Sequence, residues 1–103
     1  MKTPALTSEE LVQLRRVFAR HPEVKIVKLF GSRAKGTNAA NSDIDLALWG
    51  EVDALRAEAI AAELDELPMP YKYDVKPFDL IKLRPLREHI QRVGIMVYPE
   101  EKE

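Results

Sequence analysis

The sequence predicts one small α+β domain with the element order α-β-β-α-β-α. Three short segments have strand character, and three longer segments carry apolar residues at helical spacing. The chain has 103 residues, a length suited to a single compact domain, and neither an internal repeat nor a low-complexity linker divides it. We therefore expect residues 1–103 to form one domain.

The first helix is predicted to begin at Thr7, because Thr7 and Glu10 form a capping-box pattern ahead of regularly spaced apolar residues. Pro22 ends this helix, because proline lacks an amide proton and restricts the residue before it. Two apolar segments follow, residues 24–30 and 43–49. Each runs into a glycine, which is typical of a strand that ends in a turn.

The second half of the chain is predicted to add a helix, a strand and a helix. Residues 52–67 are rich in alanine and lead into two nearby prolines, which predicts a helix. Residues 71–78 alternate polar and apolar side chains, which predicts a strand. Residues 84–94 have helical spacing and end in glycine, which predicts the last helix. Residues 95–103 are expected to be an extended tail.

Composition excludes several classes of protein. Hydrophobic residues make up 46% of the chain and charged residues 32%, which indicates a folded globular protein. The net charge of −1 gives no sign of direct nucleic-acid binding. The absence of cysteine excludes disulfides and thiolate metal sites. Neither a signal peptide nor an apolar run of membrane-spanning length is visible, so we expect a cytoplasmic protein without membrane association.

Asp43 and Asp45 begin the second predicted strand. Since alternate side chains of a strand point to opposite faces, these two carboxylates share one face. The other face is predicted to carry the core residues Ile44, Leu46 and Leu48. Positions i and i+2 lie roughly 6.5–7 Å apart at the backbone, so both carboxylates can bind one cation or a pair of cations. An Asp-x-Asp pair alone is more often an ordinary polar strand start.

The turn after the first strand adds the second observation. Gly31 and Ser32 follow that strand directly, and ten residues separate Ser32 from Asp43. A glycine lets backbone amides approach a phosphate without a Cβ in the way, and Ser32 adds a hydroxyl donor. Arg33 supplies positive charge suited to a polyphosphate. Mg²⁺ held by the carboxylates would neutralise the phosphates and activate an attacking oxygen.

A P-loop is the rival interpretation of this turn, because Gly31 and Gly36 give the spacing G-x-x-x-x-G after a strand. The lysine that defines a P-loop is missing, since Thr37 and Asn38 stand at the next two positions. The following segment also has the character of loop and strand rather than helix. We therefore reject the P-loop.

The run FGSRAKG…SDIDLAL resembles the signature of the DNA polymerase β-like nucleotidyltransferase superfamily and is similar to that of its minimal, MNT-type branch. The segment MPYKYDVKPFDLIKLRPLREHIQRVGIMVY is also similar to the one that follows in those small proteins, so the resemblance covers most of the chain. It implies a small mixed β-sheet of at least three strands, with helices packed mainly on one face.

The resemblance implies a third carboxylate on a neighbouring strand, with two candidates. Asp74 lies inside the third predicted strand, where Lys72 and Lys76 share its face. Asp79 follows Pro77, where the strand is expected to end, and is equally suited to capping a turn. We therefore prefer Asp74. The flanking lysines either balance its charge, reach a phosphate, or belong to a solvated strand face.

The resemblance also implies the roles of the site residues. The metal-binding and catalytic set is Asp43, Asp45 and Asp74, which would hold two Mg²⁺ ions. The nucleotide-binding set is Gly31, Ser32 and Arg33. The implied reaction transfers a nucleoside monophosphate, AMP from ATP, to an acceptor hydroxyl.

Chain length bears on the acceptor. Larger members of the superfamily carry an extra domain that binds it, whereas only about 25 residues follow the third predicted strand. We therefore expect the acceptor on another polypeptide. Minimal proteins of this kind are similar to the antitoxin of MNT–HEPN toxin–antitoxin pairs, which adenylylates a tyrosine of its helical HEPN ribonuclease partner.

Two other functions are weighed against this one. A non-catalytic antitoxin would neutralise its partner by contact alone, but the intact turn, serine and three carboxylates argue against a vestigial site. A small-molecule nucleotidyltransferase of the aminoglycoside type would use the same chemistry, but in a chain of this length the small-molecule pocket would lack walls.

Two further residues with chemical potential are assigned structural roles. His21 precedes a proline at the end of the first helix, where it is expected to cap carbonyl groups. Trp49 shares the face of the aspartates at the far end of their strand, where packing is favoured over stacking on a base.

Overall fold

A computed structural model of the chain describes residues 6–31, 43–69 and 71–99. All three predicted helices and all three predicted strands are confirmed, and a fourth strand is present. In chain order the elements are α1 (Ser8–Ala19), β1 (Val24–Phe30), β2 (Ile44–Gly50), α2 (Ala54–Asp65), β3 (Tyr73–Pro77), a 3₁₀ turn (Phe78–Leu80), α3 (Arg84–Val93) and β4 (Ile95–Tyr98).

The four strands form one mixed sheet with the order β3-β2-β1-β4. Strand β1 lies antiparallel to both β2 and β4, whereas β2 and β3 are parallel. A parallel pair needs a crossover connection, and α2 provides it. The predicted α+β class with a mixed sheet of at least three strands is therefore confirmed.

Strand β4 corrects the prediction of an extended tail after residue 94. Ile95 pairs with Leu29, and Met96 pairs with Lys28, so the segment covers the free edge of β1. An uncovered strand edge presents unpaired backbone groups, and pairing satisfies them. The strand has only four residues, Ile95–Tyr98, and its pattern of β-branched side chains was too short to predict a strand from the sequence.

Side-chain caps begin two of the helices, α1 and α2. The Thr7 hydroxyl accepts a hydrogen bond from the Glu10 amide at 3.1 Å, and the Thr7 amide donates to the Glu10 carboxylate at 3.0 Å. This is the predicted capping box. Asp53 caps α2 by accepting from the amide of Arg56 at 2.8 Å. Among the described helices, none combines the length and apolar character needed to cross a membrane.

Two apolar clusters lie on opposite faces of the sheet. The larger one packs strand residues against α1 and α2 and includes Leu14, Phe18, Leu29, Ile44, Leu46, Leu48, Ile60 and Leu64. The smaller one lies under α3 and the 3₁₀ turn and consists of Phe30, Ala47, Phe78, Ile81 and Ile90. Two helices therefore pack on one face of the sheet and one on the other, which agrees with the prediction that the helices pack mainly on one face.

The smaller cluster occupies the face of β2 that carries Asp45. Ala47 is completely buried in it, and Trp49 stacks on Phe78 with ring centroids 4.4 Å apart. This contact agrees with a packing role for Trp49. The aspartates therefore lie at the end of a packed apolar layer rather than on a bare sheet surface.

Candidate active site

Asp45 and Asp74 lie opposite each other on the parallel strands β2 and β3. Neighbouring strands in a sheet are about 4.8 Å apart, and residues in register point to the same face. The sheet therefore brings together two carboxylates that are far apart in the sequence. Asp79, the other candidate for the third carboxylate, is exposed in the 3₁₀ turn after β3. This geometry favours Asp74.

Asp43 lies immediately before β2 and is exposed. The amide of Ile44 donates a hydrogen bond of 2.8 Å to the carbonyl of Lys72, which joins the start of β2 to the start of β3. Asp43 is close enough to Asp45 for its negative charge to raise the pKa of the Asp45 carboxyl. All three predicted carboxylates thus contribute to one end of the β2–β3 pair.

Gly31 follows β1 directly and lies next to the side chain of Asp45 on the neighbouring strand β2. Its φ angle is +80°, in the left-handed region that L side chains rarely adopt. A Cβ at this position would also collide with Oδ2 of Asp45. The predicted glycine turn therefore borders the predicted carboxylate directly. Ser32 and Arg33, the other two predicted nucleotide-binding residues, lie outside the described residues.

The electrostatics of Asp45 reflect its surroundings. Burial raises the pKa of its carboxyl above the ordinary value of 3.8, and the negative charge of Asp74 raises it further. Lys76 opposes the rise in pKa, and Asp43 adds to it. The ionised form of Asp45 is thus disfavoured in this cluster of like charges, and a bound cation would relieve the repulsion.

Lys76 already provides one positive charge. Its ammonium donates to Oδ2 of Asp74 at 2.7 Å, in an ion pair that is about half exposed to solvent. Sequence reasoning treated Lys72 and Lys76 alike, because both lie two residues from Asp74. The structure distinguishes them, and no signal in the sequence could have done so.

The donors at this site suit Mg²⁺, which prefers carboxylate oxygens and is usually bound by one or two carboxylates together with water and substrate phosphates. Across the described ranges, no group of three or more histidine or acidic side chains is assembled to hold a metal on its own. The oxygen donors of Asp45 and Asp74 fit a hard cation that takes its other ligands from water or from a bound molecule.

A concavity of about 520 Å³ lies elsewhere, lined by residues that include Glu23, Glu51 and Asp53. It adjoins the far end of β2, about five residues or 17 Å from Asp45 along the strand. Three carboxylates against the single guanidinium of Arg56 make its lining net negative, which disfavours a nucleotide phosphate.

Comparison with known families now identifies this arrangement. Residues 12–103 match the family model described as "Polymerase beta, Nucleotidyltransferase". The match covers most of the chain and contains the glycine turn and every one of the three carboxylates. The chain belongs to the polymerase beta nucleotidyltransferase family. It is therefore a nucleotidyltransferase, as the motif resemblance implied.

A curated relative points in the same direction. The probable protein adenylyltransferase MntA of Haemophilus influenzae is 28% identical over 99 residues, which is 94% of this chain and 86% of the relative. This similarity agrees with the resemblance to MNT-type antitoxins that was inferred from the sequence.

Solved structures of similar fold come from toxin–antitoxin complexes. One is a toxin–antitoxin structure with AMP-PNP, with a TM-score of 0.71, 23% identity, and coverage of 90% of this chain and 73% of that one. Another is a tri-AMPylated Shewanella oneidensis HEPN toxin in complex with an MNT antitoxin, with a TM-score of 0.69, 16% identity, and coverage of 90% and 72%. At these identities the likeness shows a shared fold.

Proposed function

We propose that the chain transfers AMP from ATP to a hydroxyl group on a helical HEPN-type partner protein and thereby acts as the antitoxin of a toxin–antitoxin pair. The observation that carries this proposal is the register of Asp45 with Asp74 beside the Gly31 turn. The relative from Haemophilus influenzae and the complex from Shewanella oneidensis supply the acceptor class. The absence of cysteine is compatible with the reducing cytoplasm in which we place this reaction.

In this proposal Asp43, Asp45 and Asp74 would hold Mg²⁺, which supplies charge neutralisation of the triphosphate and activation of the acceptor hydroxyl. Two features of the chain support the assignment. The three side chains provide only hard oxygen donors, and the cluster of like charge around Asp45 favours a cation.

The residues of the chain act by binding and orientation. Gly31 leaves space beside Asp45 and, with Ser32 and Arg33, grips the phosphates. The acceptor oxygen forms a bond to the α-phosphorus, and the bond from that phosphorus to the bridging oxygen breaks. Pyrophosphate leaves with the electron pair, and the hydroxyl proton passes to the carboxylate of Asp74. Holding the acceptor and the nucleotide in line accounts for much of the rate gain in such transfers.

The test is incubation of the purified chain with ATP, Mg²⁺ and its HEPN partner, followed by intact mass spectrometry of the partner. We expect the partner to gain at least one AMP, and this gain to be lost in Asp43→Asn. Asp65→Asn, which changes an exposed aspartate at the end of α2, is the matched control and should transfer AMP normally.

The same experiment separates the alternatives. Neutralisation of the partner that persists unchanged in Asp43→Asn, with no gain of mass, would support a non-catalytic antitoxin that acts by contact. Modification of an aminoglycoside by the isolated chain, with the HEPN protein unmodified, would support a small-molecule nucleotidyltransferase.

A further inference from the structure

Lys76 occupies a distinctive position in the carboxylate cluster. It lies opposite Ala47 in the β2–β3 register, two residues beyond Asp74 and on the same face of the sheet. Its ammonium contacts Oδ2 of Asp74 at 2.7 Å, although 38% of the lysine side chain remains exposed. This lysine is therefore held by the carboxylate and still has room to move away from it.

Lys72 provides an internal comparison. It lies two residues before Asp74, at the same sequence separation from the carboxylate as Lys76, although it precedes the first residue of β3. Of these two described lysines, only Lys76 forms an ion pair with Asp74. The contact is thus a property of the local geometry and not of the lysine content of the strand.

The ion pair has a consequence for ligand binding. Asp45 and Asp74 lie in register on neighbouring strands, and the ammonium of Lys76 offsets part of their negative charge through its contact with Asp74. An oxygen that accepts a short, charge-assisted hydrogen bond has given up part of its capacity to bind another cation. The lysine and a metal ion would therefore compete for the same oxygen.

We propose that Lys76 is a positioning residue that holds Asp74 in the nucleotide-free protein and competes with the metal ion for Oδ2 of Asp74. The inference rests on the proposed function, since it takes Asp74 to be a metal ligand. The lysine holds the carboxylate of Asp74 in place before the metal arrives. It also makes the empty site bind free metal weakly, so that metal loading is favoured together with the nucleotide.

The experiment measures Mn²⁺ binding to the nucleotide-free chain by electron paramagnetic resonance, which counts free Mn²⁺ without any catalytic readout. We expect Lys76→Gln to lower the Kd for Mn²⁺ by about three- to tenfold, because it frees Oδ2 of Asp74 from a charge-assisted hydrogen bond that Lys72 does not make. Lys72→Gln is the matched control and should lower the Kd by less than about twofold. Lys76→Arg keeps the charge and should bind Mn²⁺ like the wild type.

Unchanged or weaker binding in Lys76→Gln would overturn the proposal, and so would an equal gain in Lys72→Gln, because the effect would then be one of general charge. Asp45→Asn separates a failure of the role of Lys76 from a failure of the metal site. If it abolishes Mn²⁺ binding while Lys76→Gln has no effect, the role of Lys76 fails and the metal site stands. If it leaves Mn²⁺ binding unchanged, the metal site fails and the role of Lys76 fails with it. A thermal melt of each variant shows whether that variant is folded under the conditions of the Mn²⁺ measurement.

Discussion

The missing side chain of Gly31 makes room for the carboxylate of Asp45. A Cβ on Gly31 would collide with Oδ2 of Asp45, and Phe30, the residue before the glycine, pairs with Asp45 across the sheet. The glycine therefore meets two requirements at once, a left-handed backbone and clearance for a functional group. This relationship gives a physical reason for the glycine in the motif.

Replacing Gly31 by alanine should affect both stability and the site. We expect Gly31→Ala to lower the free energy of unfolding by about 1–3 kcal/mol, because the left-handed backbone is strained for L side chains and Asp45 must move. Urea denaturation measures the loss of stability, and Mn²⁺ titration measures the effect on the site. Gly50→Ala is the control, since Gly50 also has a positive φ, of 126°, but adjoins the backbone of Glu23. Mn²⁺ affinity that falls equally in both variants would contradict the role of Gly31 at the site.

Replacing Asp45 by asparagine should make the protein more stable while disabling the site. The substitution keeps the shape and removes a charge that burial and Asp74 disfavour. We expect the free energy of unfolding at neutral pH to rise by ~0.3–1 kcal/mol, a small gain because water screens a partly exposed group. Thermal and urea denaturation measure it. Asp65→Asn should leave stability nearly unchanged, and an equal gain in that variant would contradict the explanation.

The stability gain of Asp45→Asn should also depend on pH. Because the folded state raises the pKa of Asp45 above 3.8, the folded protein binds this proton more tightly than the unfolded chain does. The wild type therefore loses stability as pH rises through the folded-state pKa, and the asparagine variant lacks this loss. We expect the difference in free energy of unfolding to be largest near pH 7 and to shrink as pH falls toward 3.8. A difference that is independent of pH would exclude Asp45 ionisation as its cause.

Local patterns predicted most of the fold and the placement of the aspartates. Strand alternation predicted that Asp45 lies on the other face of β2 from the core residues Ile44 and Leu46, and both of these are fully buried. The start of α1 followed from the capping box of Thr7 and Glu10, which lie within one turn of each other. These features depend on residues only a few positions apart in the chain, so they can be predicted from one sequence.

The remaining features depend on partners distant in the sequence. Strand β4 exists because α3 returns the chain to the edge of β1, which no short segment reveals. The preference for Lys76 over Lys72 arises from the geometry of the β2–β3 pair. The resemblance to a family, rather than any pattern in β3, indicated that Asp74 belongs with the Asp-x-Asp pair.

His21 differs from its expected role as a helix cap. Its side chain is only 9% exposed, and its Nε2 lies 2.8 Å from a carboxylate oxygen of Glu63 in α2. Its Nδ1 lies 3.5 Å from Glu23, which in turn pairs with Arg56 at 3.0 Å. The imidazole therefore joins the end of α1 to α2 through two carboxylates, and its role is structural.

Truncating Glu63 should therefore destabilise the protein chiefly through His21, because its other contact, an ion pair of 3.3 Å with the exposed Arg20, is worth little. We expect Glu63→Ala to lower the free energy of unfolding by about 1–3 kcal/mol, because it leaves a nearly buried ring nitrogen without its hydrogen-bond partner. Glu58→Ala, which truncates an exposed glutamate of the same helix, should cost less than about 0.5 kcal/mol. Glu63→Gln keeps an acceptor oxygen and should recover part of the loss. Urea denaturation of the three variants measures these differences, and equal losses in Glu63→Ala and Glu58→Ala would show that the contact with His21 contributes nothing.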